Sequence, residues 1–104
     1  MNMDVFEFSQ KVEELLKADK SLNAERSVYP LLTIAKGEDW KEMLWHMLRI
    51  LNLIEEKEET KEKKVSVLKV LQRIHTNPTE VKKYFYAFII GIMNAYGEKG
   101  REEK

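Results

Sequence analysis

Apolar residues recur along this chain at helical spacing, and capping residues punctuate them. Val5, Phe8, Val12, Leu15 and Leu16 form one stripe over residues 5–18, with Asp4 placed to cap it and Glu7 to complete a capping box. Ser21 opens a second element, which runs into Pro30. Proline removes a backbone donor and disfavours helix at the residue before it, so two short pieces are predicted, 22–28 and 30–36, closed by Gly37. Asp39-Trp40-Lys41-Glu42 reads as a second capping box. Behind it Trp40, Met43, Leu44, Met47, Leu48, Ile50, Leu51 and Ile54 cover roughly 160° of a helix surface, a core-facing stripe.

Residues 55–64 contain no apolar side chain. They fit a solvated helical extension, which a Glu59–Lys63 pair favours slightly, or a flexible linker. In residues 65–76, Val67, Leu68, Leu71 and Ile74 suit a helix. Val65, Val67 and Val70 raise the β propensity, so a short hairpin is the alternative. The last element has clear bounds: Asn77 caps, Pro78 takes the first turn, Glu80 closes the box and Gly97 terminates. Between them Val81, Tyr84, Phe85, Phe88, Ile89, Ile92, Met93 and Tyr96 repeat at i, i+3, i+4 and i+7. The pattern predicts an all-α fold, a small bundle of about five helices whose core joins the third to the fifth. Residues 1–97 form this single domain, followed by a disordered polar tail over 98–104.

Composition narrows the class. With 104 residues and 43% hydrophobic content, the chain suits one globular core. No apolar run approaches the ~20 residues that span a bilayer, and no basic segment opens the chain as in a secretory signal. A cytoplasmic location is expected. Charged residues reach 35%, dominated by 15 Glu and 14 Lys, with two Gln and no Cys. That balance is the signature of heat-adapted proteins, and it removes disulfides, thiolate nucleophiles and Cys-ligated zinc. Net charge is zero but uneven: residues 1–64 carry 11 basic and 14 acidic groups, residues 65–104 carry 7 and 4. The densest basic stretch, 61–83, has a net charge of +5.

Catalytic chemistry finds no foothold in the pattern. There is no nucleophile elbow, phosphate-binding glycine loop or His-Glu-x-x-His. His46 and His75 lack the glutamate three residues earlier that a helical di-iron site needs, and Glu42 with His46 makes only two candidate ligands. No metal or other cofactor is expected. The candidate function lies instead on the faces turned from the core. On the third helix Trp45, Arg49, Asn52 and Leu53 project opposite the main stripe. On the fifth, Tyr86 and Ile90 do so with Lys83, Ala87 and Asn94. A small domain has too few elements to cover both sides of such helices, so Trp45, Arg49, Leu53, Tyr86 and Ile90 are candidate protein-interface residues. Lys69, Arg73, Lys82 and Lys83, with Thr76, Asn77 and Thr79 between them, are candidate phosphate contacts, set against the plain reading of a solvated charged face.

The segments LLTIAKGEDWKEMLWHMLRILNLIEE (31–56) and NPTEVKKYFYAFIIGIMNAYG (77–97) resemble the small helical subunits of CRISPR interference complexes. The Ala35-Lys36-Gly37-Glu38-Asp39-Trp40 helix start and Leu48-Arg49-Ile50 resemble the archaeal type I-A subunit. The closing helix, Tyr84 to Tyr96, is also similar to its type III-A counterpart. The resemblance covers residues 31–97 and rests mostly on helix-packing pattern. It implies a non-catalytic, cofactor-free subunit stacked in several copies on the backbone subunits of a ribonucleoprotein. There it would steady the guide RNA–target duplex or the displaced DNA strand. The expectation from another class is a helical protein–protein adaptor that touches no nucleic acid.

Overall fold

The computed structural model describes residues 3–18 and 24–102, with the side chains of 24–29 and 98–102 left aside. Five helices follow in order: α1 Val5–Ala18, α2 Ala24–Gly37, α3 Trp40–Leu53, α4 Glu58–Ile74 and α5 Pro78–Glu102. No strand occurs among the described residues. The fold is a small all-α bundle, and residues 65–76 are helix rather than hairpin. Burial of Val67, Val70, Leu71 and Ile74 along one face outweighs the β preference of the valines.

The caps form where the sequence places them. The Glu7 amide donates to Asp4 Oδ1 at 2.8 Å, the Lys41 amide to Asp39 Oδ1 at 3.0 Å, and the Glu80 amide to Asn77 Oδ1 at 3.2 Å. Each satisfies a backbone donor that the first helical turn would otherwise leave unpaired.

Some boundaries differ from the pattern. α2 is one helix that continues through Pro30. The proline removes a single backbone bond, and burial of Leu31 and Ile34, worth about 1.5–3 kcal/mol each, offsets a cost of about 3 kcal/mol. The expected start at Ser21 lies outside the described residues. Gly37 does end α2, but Glu38, with φ of 56°, is the residue in the left-handed conformation. α5 does not stop at Gly97 and reaches Glu102, so 98–102 are helical where a disordered tail was expected. Gly97 and Gly100 cost about 1 kcal/mol each, and the Glu, Lys and Arg residues around them are good helix formers. Residues 103–104 lie outside the described part.

The core has a different centre from the one the stripes suggest. α5 packs most extensively against α1, with its contact to α3 second. Phe8 stands edge-on to Tyr84, ring centroids 5.1 Å apart, and lies 6.2 Å from Phe88. The reason is Gly91. A Cβ there would meet the Ser9 carbonyl oxygen at 2.6 Å and Val12 Cβ at 3.0 Å, so only glycine lets α1 come this close to α5. Gly91 lies between Ala87 and Ala95, four residues away on either side, and all three are buried. Ala87 is therefore a core residue rather than part of the outer face.

The polar run 55–64 is neither a plain solvated extension nor a linker. Helix stops at Leu53, with Ile54 as its extended cap, and restarts at Glu58. The hydroxyl of the fully buried Thr60 accepts from the Lys57 amide at 2.9 Å and donates to the Glu55 carbonyl at 2.8 Å. Lys64, 8% exposed, donates from Nζ to the Ile54 carbonyl at 3.2 Å, closing the end of α3. Lys63 reaches Glu14 of α1 at 3.7 Å.

Candidate functional site

Five of the large apolar side chains that the bundle leaves uncovered stand on α3 and α5; Phe6 of α1, 70% exposed, Leu32 of α2 and Val65 of α4 are the others among the described residues. On α3 Trp45 is 59% exposed and Leu53 56%; on α5 Tyr86 is 46%, Ile90 53% and Met93 54%. The four residues expected to project from the core do so. Met93 was expected inside, yet it stands three residues after Ile90 and seven after Tyr86, on the same outer strip. Its place in an unbroken apolar repeat hid this. A stripe on every side of a helix does not show which side a neighbour covers.

Around Trp45 the surface is ordered by its own neighbours. His46 stands edge-on to the indole with centroids 4.8 Å apart. The Arg49 guanidinium lies 5.8 Å from the indole centroid, within cation–π range. Partial burial, and after it the charge of Arg49, hold the His46 pKa below its ordinary 6.5, with Glu42 opposing. The environment thus favours the neutral imidazole beside Arg49. Among the described residues, no three His, Cys, Asp or Glu side chains gather as a metal site.

On α5, Tyr86 has Lys82 four residues before it and Lys83 three before it, one helical turn away on the same side. Across from it α2 contributes Leu32, Thr33, Ala35 and Lys36, and these four with Tyr86 line an open groove. Leu32 is itself partly exposed. This juxtaposition joins elements more than fifty residues apart in the chain, and no local motif announces it.

The four candidate phosphate contacts divide. Lys69 and Lys83 are exposed and Lys82 half-exposed. Arg73 is exposed as well, but it also makes contacts within the fold. Its Nη2 donates to the Met3 carbonyl at 3.3 Å and to the Tyr84 hydroxyl at 3.0 Å. The Tyr84 hydroxyl in turn donates to Met3 O at 2.8 Å. The guanidinium also lies 5.8 Å from the Tyr84 ring centroid. Arg73 therefore ties α4, α5 and the entry to α1 together, and part of its donor fork is spent there.

No protein-family model, curated protein or solved structure matches this chain. No described helix is long and apolar enough to cross a membrane.

Proposed function

We propose that this protein is a non-catalytic docking subunit of a larger assembly, joined to its neighbours through the outer faces of α3 and α5. The observation that carries this reading is the pair of separate apolar faces, Trp45 with Leu53 and Tyr86 with Ile90 and Met93, on helices whose inner sides already fill the core. Large apolar side chains left exposed on a helix face are candidates for contact sites, and two helices that carry them allow one subunit to touch two neighbours. The finer reading follows the resemblance: the assembly is a CRISPR ribonucleoprotein, with Lys69, Lys82 and Lys83 near the backbone of guide RNA or target DNA. The adaptor reading, with no nucleic acid, gains from the two hydrogen bonds that Arg73, though exposed, directs to groups of its own chain.

Sedimentation velocity of the wild type, of Trp45→Glu/Leu53→Glu and of Tyr86→Glu/Ile90→Glu tests the docking reading, together with co-purification from the source cells. The wild type should associate with itself or with defined partners, and each double variant should lose one contact while keeping its helix content. A monomer that joins no assembly refutes it. On the assembled complex, Lys69→Glu/Lys82→Glu/Lys83→Glu should flatten the slope of log affinity against log salt by about 2, as three single-strand phosphate contacts imply. An unchanged slope leaves the adaptor.

A further inference from the structure

We infer that the groove between α2 and α5 is a receptor for an acidic amphipathic helix of a partner protein. The inference rests on the docking reading above and names what occupies one of its faces.

Shape argues first. Tyr86, Ile90 and Met93 stand at i, i+4 and i+7, a ridge of the kind that meshes with another helix. Leu32 of α2 lines an open groove with Tyr86, so the ridge runs into a trough at its Tyr86 end, and Ile90 and Met93 continue it as exposed surface. At 1.5 Å per residue, the strip from Lys82 to Met93 is about 16 Å long, enough for about three turns of a partner helix.

Charge decides the rest. Among the described residues the groove lining has one charged side chain, Lys36 of α2, and no carboxylate, and Lys82 and Lys83 stand one helical turn before Tyr86 on α5. Among the described residues, no ion pair engages any of these three lysines. A like-charged partner would meet repulsion from Lys36 of α2 and from Lys82 and Lys83 of α5. One with carboxylates flanking its apolar stripe would find a cation on each side, which fixes its register as well as its sign. A phosphate backbone would also satisfy the lysines, but it offers nothing to cover Tyr86, Ile90, Met93 and Leu32.

A displayed library of helical peptides tests the inference. Leu is fixed at i, i+4 and i+7, and the flanking positions are drawn from Glu, Lys and Ser. Binders are selected on the wild type and counter-selected on Ile90→Glu, an exposed position where circular dichroism should show the fold intact. Glu should be enriched over Lys at the flanks at least tenfold. Selection on Lys36→Glu/Lys82→Glu/Lys83→Glu should invert that preference. The inference is overturned if flank charge is not enriched, if the same clones bind Ile90→Glu, or if no clone exceeds background. It also falls if a 20-nucleotide single strand binds the wild type, and Ile90→Glu, but not the triple variant, since the lysines then serve phosphate. Any of these leaves the docking reading standing if the wild type still associates in sedimentation, and removes both if it does not.

Discussion

Gly91→Ala separates the tertiary argument from local propensity, because the two predict opposite signs. In an unconstrained helix interior the change stabilises by about 1 kcal/mol, since alanine loses less backbone entropy. Here the new methyl would sit 2.6 Å from the Ser9 carbonyl oxygen and 3.0 Å from both Val12 Cβ and Cγ1. A carbon and a carbonyl oxygen rest at about 3.3 Å or more, so α1 must retreat by about 0.7 Å. The atom in the way is backbone, and no rotamer change relieves it. Phe8, Val12, Leu15 and Leu16 would all shift with the helix and lose contact with α5. Overpacking of this kind costs about 3 kcal/mol at the upper end, and the propensity gain leaves a net loss of about 2 kcal/mol. For a domain of this size that lowers Tm by about 8–16 °C. The internal control is Gly97→Ala, six residues on in the same helix, where nothing lies within 4 Å of an added Cβ; it should stabilise by about 0.5–1 kcal/mol. Urea unfolding followed by circular dichroism measures both. Equal or greater stability for Gly91→Ala would refute the close crossing of α1 and α5.

Tyr84→Phe keeps the ring against Phe8 and removes the hydroxyl that joins Arg73 to the Met3 carbonyl. It should cost about 1 kcal/mol and speed hydrogen exchange at the start of α1, read by mass spectrometry. Glu38→Gly relieves a left-handed residue at the α2–α3 turn. It should stabilise by about 1 kcal/mol in thermal melts. His46 has a lowered pKa, so the unfolded chain binds its proton more readily. Its stabilising contribution is present above pH 6.5 and is lost as pH falls through the lower folded value. Wild type should therefore lose more stability than His46→Gln between pH 7.5 and pH 5 in paired urea titrations, and parallel losses would contradict the shift.

The class of fold and most helix starts were legible in the order of residues alone, since both depend on interactions within a few residues. Asp4, Asp39 and Asn77 cap because a short side chain reaches amides two or three positions on, whatever else the chain does. The outward direction of Trp45, Leu53, Tyr86 and Ile90 was legible for the same reason, as helical phase is local. The partner of each face was not. Gly91 reads locally as a weak point in a helix and becomes the closest crossing only once α1 lies over it. Arg73 reads as a free cation until Met3 and Tyr84, seventy residues back and eleven ahead, are brought beside it. Lys64 sits in a run without apolar residues and is nonetheless buried, because the end of α3 presents it with a carbonyl. The trough of Leu32 and Tyr86 likewise exists only where α2 and α5 meet. Burial, crossing distance and the pairing of distant polar groups belong to the surroundings of a residue, and helix packing alone supplies them.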